Sequence, residues 1–212
     1  MVIDMQGDFC APGGYMAHAG VDVSIMRRPI EPIRALLKEA RRVGMQVIFT
    51  REGHRPSLDT APPSFVERTT FAGHPIGKAG PLGRLLVRGE KGHDVIEELK
   101  PLPTETLIDK PGKSGFYATD LETILRQRGI THLIFTGVTT NCCVESTIRE
   151  ANDRGFWNLI VPDCVAASSE QLHANALHGM TYLGGLFAVA APSKDVIMAL
   201  AGNAASLSAV RS

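Results

Sequence analysis

A chain of 212 residues, 44% hydrophobic and 21% charged, has the composition of one folded domain and not of a disordered segment. Its 22 lysines and arginines balance 22 aspartates and glutamates, which leaves no cationic surplus to neutralise nucleic-acid phosphates. No apolar run approaches 18 residues, so no membrane-spanning helix is expected, and 4 cysteines, two of them adjacent at Cys142 and Cys143, make no disulfide framework. The start Met1-Val2-Ile3-Asp4 carries neither a basic region nor an apolar signal core, and with the cysteine usage this predicts a cytoplasmic protein.

In chain order, Val2-Ile3 is the stub of a first strand. Ile30, Ile33, Leu36, Leu37 and Ala40 recur at helical spacing within a helix predicted over Pro29–Val43, ended by Gly44, whose simplest use is to face the core. Met45–Thr50 reads as a strand buried on both faces. The stretch from Arg51 to Gly92 is rich in Pro and Gly and weakly periodic, as expected of a lid or a partner surface. Thr106–Asp109, His132–Thr136 and Asn158–Val161 are further strands, with Leu186–Ala190 a weaker one. Between them lie helices from a Thr119 cap to Gly129, from Cys143 to Arg154 and from Glu170 to Tyr182. This alternation predicts an α/β protein: a single-domain, three-layer α/β/α unit over residues 1–212 with a mostly parallel, doubly wound six-stranded sheet.

Ligands of such sheets bind outside the carboxyl ends of the strands, so the residue after each apolar run carries the interest. Those positions hold Asp4, Lys110 and the segment Gly137-Val138-Thr139-Thr140-Asn141-Cys142-Cys143. Taken singly, Asp4 reads as a turn former, Lys110 as a solvated charge and Cys143 as a small hydrophobe. Their convergence on one edge points instead to a nucleophile, with the thiolate of Cys143 favoured by a helix N-terminus and by Lys110. Asp4 is placed to take the thiol proton and return it to a leaving amine, while the N–H groups of Thr139 and Cys143 could hold an oxyanion. Competing motifs are weaker. Gly112-Lys113-Ser114 lacks the first glycine of a phosphate loop, since Leu107 stands there, and Glu52 with His54 offers at most two metal ligands.

Asp4-Met5-Gln6-Gly7-Asp8-Phe9, Lys110-Pro111 with Ser114-Gly115-Phe116, and Gly137-Val138-Thr139-Thr140-Asn141 ahead of Cys142-Cys143-Val144 resemble the isochorismatase-like cysteine hydrolase superfamily over nearly the whole chain. The resemblance implies a catalytic triad of Asp4 as base, Lys110 and the nucleophile Cys143, with Cys142 structural. It implies a cis peptide at Val138–Thr139 that turns the Thr139 N–H toward an oxyanion hole shared with Cys143. Phe9, Phe116 and Tyr117 are the candidates for a substrate pocket. Arg51-Glu52-Gly53-His54-Arg55-Pro56 looks like biuret hydrolase, and Leu125-Arg126-Gln127-Arg128-Gly129-Ile130 looks like ureidoacrylate amidohydrolase. Leu183 replaces the glutamine that biuret hydrolases carry before their Gly-Gly pair, which argues against biuret itself. Nicotinamidases of the superfamily add a metal site after the second strand; with only Glu52 and His54 here, no metal and no cofactor are implied. Relatives carry residues before the first strand, so this chain is expected to be shortened at its start. The implied function is a metal-independent cysteine amidohydrolase that releases ammonia from a small ureide or carbamoyl amide, its partners being that substrate and other copies of itself. The alternatives are a nicotinamidase-type or other small-amide hydrolase, vinyl-ether chemistry (disfavoured by the cysteine) and a non-catalytic interaction protein.

Overall fold

The computed structural model describes the backbone of residues 1–210 and the side chains of residues 1–202. Strand β1 (Val2–Ile3) leads through three short helices, α1 (Gly7–Cys10), α2 (Tyr15–His18) and α3 (Val23–Arg27), into α4 (Ile30–Arg42) and β2 (Ile48–Glu52). Helix α5 (Pro63–Phe71) and a small hairpin of β3 (Ala79–Gly80) and β4 (Gly83–Arg84) precede β5 (Thr106–Lys110). Then come α6 (Leu121–Gln127), β6 (His132–Val138), one π-helical turn at Thr140–Val144, and α7 (Glu145–Asp153). The chain continues with β7 (Trp157–Ala166), α8 (Glu170–Gly185), β8 (Val189–Ala190) and α9 (Ser193–Val210).

Six strands form one sheet in the order β5-β2-β1-β6-β7-β8, every neighbouring pair parallel. The chain winds outward in one direction from β1 to β2 and β5, and in the other from β6 to β7 and β8. The order therefore reverses between β1 and β6, and that is where a doubly wound sheet opens a crevice at its carboxyl edge. Each strand feeds two cores, as residues two apart share a face and neighbours do not. Val2 and Phe49 pack with Met26, Ile33 and Leu36 under α3 and α4, whereas Ile3 and Ile48 pack with Leu121, Leu125 and Ile148 under α6 and α7. Burial on both faces is why these strands read as continuous apolar runs. Helix α4 follows its sequence signature: Ile30, Ile33, Leu36, Leu37 and Ala40 are buried, and Pro32 sits in the first turn, where its missing N–H breaks no helical bond.

At the crevice, Gly137 has φ +111°, and a Cβ there would stand 2.0 Å from the Ile3 carbonyl oxygen. Only glycine lets β6 close against β1 at this point.

The elements differ from expectation mostly at their ends. β2 lies at 48–52 and not at 45–50, which carries Arg51 and Glu52 out of the long segment and onto the sheet edge. Helix α6 begins after Thr119, whose Oγ accepts the Leu121 N–H (3.3 Å) and donates to the Gly115 carbonyl (2.6 Å). The helix expected from Cys143 starts as a π turn, and the late strand shrinks to two residues. Helices α1, α2, α3 and α9 were not foreseen. The segment after β2 contains a helix and a hairpin, and it is tied down: Asp8 accepts the Leu86 N–H (3.0 Å) and the Tyr15 N–H (3.2 Å), and Gln6 donates to the His93 carbonyl (2.9 Å). No helix among the described residues is long and apolar enough to cross a membrane.

Candidate active site

Asp4 is the first residue beyond β1, and its backbone is left-handed (φ +51°), a conformation that aspartate tolerates better than most residues. Its N–H donates to the Thr50 carbonyl (3.1 Å), and its Oδ1 accepts from Thr50 Oγ1 (2.7 Å). The other carboxylate oxygen lies 2.8 Å from Lys110 Nζ. Lys110 ends β5, and its ammonium also donates to the Gly112 carbonyl (2.9 Å). In the β2–β5 ladder Lys110 is paired with Glu52, so the two side chains share a face, with Nζ 3.5 Å from Glu52 Oε2. Lys113 reaches the other Glu52 oxygen (2.5 Å).

Cys143 enters from the far side of the crevice. The Val138–Thr139 peptide is cis, as the resemblance implied, and the π turn follows it directly. A π turn adds a residue to a helical repeat and often marks functional sites. The turn is anchored to the segment after Lys110, because Thr147 Oγ1 donates to the Cys143 carbonyl (2.6 Å) and accepts the Gly115 N–H (2.9 Å). Thr140 Oγ1 lies 3.0 Å from His173 Nδ1. Cys143 Sγ donates to Glu52 Oε2 at 3.0 Å, and the donor atoms of Asp4, Glu52 and Cys143 all fall within 4.8 Å of one another. These residues and Lys110 are at most 2% exposed.

The charges sort themselves by partner. Burial raises the Glu52 pKa, but Lys110, Lys113 and the hydrogen bonds from Lys113 and Cys143 outweigh it and hold the carboxyl at about 2. For Asp4, burial wins over Lys110 and, with the nearby Glu52 charge, places its pKa above the ordinary aspartate value. Lys110 is desolvated, yet Asp4, Cys143 and Glu52 keep it charged and raise its pKa. The thiol differs from expectation. Its hydrogen bond with Cys142, its burial and the two carboxylates push Cys143 up, and Lys110 alone opposes them, so the resting nucleophile is a thiol and not a thiolate. Cys142 goes the other way: its interaction with Cys143 brings it down to about 7 against the cost of burial, with Lys113 helping.

Asp4, Lys110, Thr139 and Cys143 thus come together at the reversal of strand order. The aromatic candidates scatter. Phe9 packs in the core under α3 and α4, while Phe116 stacks on Phe156 in the opposite core (centroids 5.9 Å apart). Tyr117 is 56% exposed, its ring against Gly112. Glu52, Lys113 and Thr50 were missed as members of the centre. The strand-end rule that selected Asp4 and Lys110 selects Glu52 as well, once β2 is extended by two residues. Leu183 lies in a break within α8, where Tyr182, Leu183 (φ +54°) and Gly184 leave helical geometry, and it is 76% exposed.

Asp4, Glu52 and Cys143 form the one group of three or more metal-type donors among the described residues, and His54 is not in it. Two ammonium groups already balance its two carboxylates, so a divalent cation would add uncompensated positive charge to a buried site; the donor set does not suit one.

A family model described as the isochorismatase domain matches residues 1–191. Ureidoacrylate amidohydrolase RutB of Caulobacter segnis is 34% identical over 205 residues, covering 95% of this chain and 86% of that protein. Among solved structures, a cysteine hydrolase from Pseudomonas syringae pv. phaseolicola superposes with a TM-score of 0.80 at 27% identity, over 95% of this chain and 91% of the other. N-carbamoylsarcosine amidase from Thermoplasma acidophilum gives 0.70 at 26% identity, over 91% and 94%. A cysteine, two carboxylates and a lysine at the strand-order reversal, and a family match over nine-tenths of its length, make this chain a member of the isochorismatase family of hydrolases.

Proposed function

We propose that the chain is a cysteine amidohydrolase that cleaves a small ureide or carbamoyl amide without a metal ion. The observation that carries this is the closed set at the crevice: a buried thiol within 4.8 Å of a carboxylate that is itself 2.8 Å from a buried lysine. The names of two relatives, ureidoacrylate amidohydrolase and N-carbamoylsarcosine amidase, point to the same substrate class.

In this reading Asp4 takes the Cys143 proton as Sγ attacks the carbonyl carbon. A carboxyl raised by burial is the better acceptor; Glu52, held at about 2, binds a proton poorly. The Thr139 and Cys143 N–H groups receive the developing oxyanion. The C–N bond breaks, Asp4 gives its proton to the departing nitrogen, and ammonia or an amine leaves. Water, deprotonated by Asp4, then cleaves the S–C bond and restores the thiol. Lys110 stays protonated throughout and orients Asp4. The charge on the four side chains is the same before and after proton transfer, so a neutral carbonyl group enters without unbalancing the site.

The test is ammonia release from biuret, a ureidoacrylate, N-carbamoyl amino acids and nicotinamide, run beside Cys143→Ala and with a chelator. Release from at least one ureide, abolished by Cys143→Ala and indifferent to chelator, is the expected result. Activity that survives Cys143→Ala, or that chelator removes, would overturn the reading.

A further inference from the structure

We propose that Glu52 reads the substrate: it accepts the N–H of the nitrogen that stays on the carbonyl while Asp4 serves the nitrogen that leaves, so the centre selects a carbonyl flanked by two nitrogens. The inference rests on the hydrolytic reading above and narrows it.

Position comes first. Glu52 Oε2 is 3.0 Å from Cys143 Sγ, so the substituents of a carbon bonded to Sγ fall within reach of that oxygen. Hydrogen bonding comes second. In the resting enzyme the thiol proton satisfies Oε2, alongside a long contact to Lys110 (3.5 Å), while Lys113 takes Oε1. Acylation consumes that proton. The S–H becomes S–C, and a carboxylate only 1% exposed loses a donor. An N–H on the retained side of the carbonyl restores it with a charge-assisted bond; a methyl or ring carbon does not. Division of labour comes third. Asp4, gripped by Thr50 and Lys110, is the carboxylate that exchanges protons, and Glu52, held ionised by two lysines, is the fixed acceptor. Ureas, carbamoyl amines and carbamates therefore fit. A primary carboxamide has one nitrogen, which leaves, and turns carbon toward Glu52. Atoms balance simply: Sγ–C forms, C–N breaks, the thiol proton travels through Asp4 to the departing nitrogen, and the retained N–H is donated but never transferred.

Two chromogenic esters with one leaving group isolate this role: p-nitrophenyl carbamate carries NH2 on the reacting carbonyl, and p-nitrophenyl acetate carries CH3. The quantity is the ratio of their kcat/KM values at pH 7 in wild type, Glu52→Gln and Glu52→Asp, with Cys143→Ala as blank. Glu52→Asp keeps the charge between the lysines and withdraws the carboxylate by one methylene, so it serves where Glu52→Gln does not fold. We expect the carbamate-to-acetate ratio to fall at least ten-fold in either variant. A ratio within three-fold of wild type, even with both rates reduced, would mean that Glu52 acts on the thiol and not on the substrate, and would overturn the assignment. Nitrophenolate release no faster in wild type than in Cys143→Ala for both esters would overturn the cysteine-hydrolase reading itself, and this inference with it.

Discussion

Replacing Lys110 by Met nearly keeps the length of the side chain and removes one charge from a fully buried site. Asp4 and Glu52 then share a single cation, Lys113, which touches Glu52 alone. Breaking a buried ion pair from one side costs about 3–5 kcal/mol, because the stranded charge remains desolvated. For a protein of this size each kcal/mol moves Tm by about 2–4 °C, so the variant should melt about 6–20 °C below wild type at pH 8. The deficit should depend on pH with a definite sign. In wild type, Glu52 has its pKa depressed to about 2, so its contribution is present above the unfolded value and lost only as pH falls toward 2. In Lys110→Met the unpaired Asp4 is raised further above its unfolded value. The folded variant then binds that proton more tightly than the unfolded chain, and its stability is lost as pH rises through the raised pKa. The gap between the two proteins must therefore narrow on going from pH 8 to pH 5. Calorimetric scans of both proteins at these two pH values decide the matter. A Tm within 2 °C of wild type at both, or a gap that widens in acid, would refute the charge balance described here.

Three further outcomes follow from the same geometry. Thr50→Val removes the hydroxyl that donates to Asp4 Oδ1 at 2.7 Å; kcat should fall about ten-fold or more with KM little changed, and the acid limb of the pH–rate profile should move to higher pH, since that bond favours the ionised carboxyl. Iodoacetamide at pH 7 should label Cys142, half-buried and brought down to about 7, roughly ten times faster than the buried, raised Cys143; tandem mass spectrometry of the labelled peptide reads the order, and faster labelling of Cys143 would contradict it. His93 is wholly buried with neither ring nitrogen hydrogen-bonded, and burial, aided by Arg51 and Arg88, takes it down to about 4. Its neutral form supports the fold above the unfolded value near 6.5 and fails as pH falls toward 4, so His93→Gln should lose less Tm than wild type between pH 7 and 4.5. Asp8, raised to about 6 by burial, titrates with the opposite sign in both proteins and cancels from that comparison.

The parallel architecture was legible because its strands are buried on both faces and their apolar runs stand out from the amphipathic helices between them. Asp4, Lys110 and Cys143 were legible because chemistry in such sheets collects where strands end. Glu52 was not, because Arg51 and Glu52 are polar, and a strand's polar end looks like the loop that follows it; only pairing with β5 puts Glu52 opposite Lys110. The protonation state of Cys143 was out of reach for a related reason. A helix N-terminus and a lysine favour a thiolate, but the hydrogen bond to Cys142, burial and Glu52 reverse the balance, and the last two depend on tertiary placement. The short helices α1, α2 and α3 fall below the length at which periodicity carries a signal, and they are held by contacts such as the Arg27 Nη1 donation to the Cys10 carbonyl (3.1 Å).

Residues 53–105 leave the sheet beside Lys110 and return to it beside Ile48, on strands that are themselves hydrogen-bonded side by side. The two ends of this excursion are thus clamped by the ladder, and Glu52 and Lys110 are set by register, independent of what the intervening chain does. Closing a flexible loop costs only about 0.6 kcal/mol more for each doubling of its length. A lineage could therefore lengthen, shorten or exchange this segment, and with it the walls of the crevice, while the reacting atoms stayed where the ladder puts them. Substrate range and bond-breaking chemistry become separable variables, the first free to drift by insertion and recombination, the second held by a five-residue pairing.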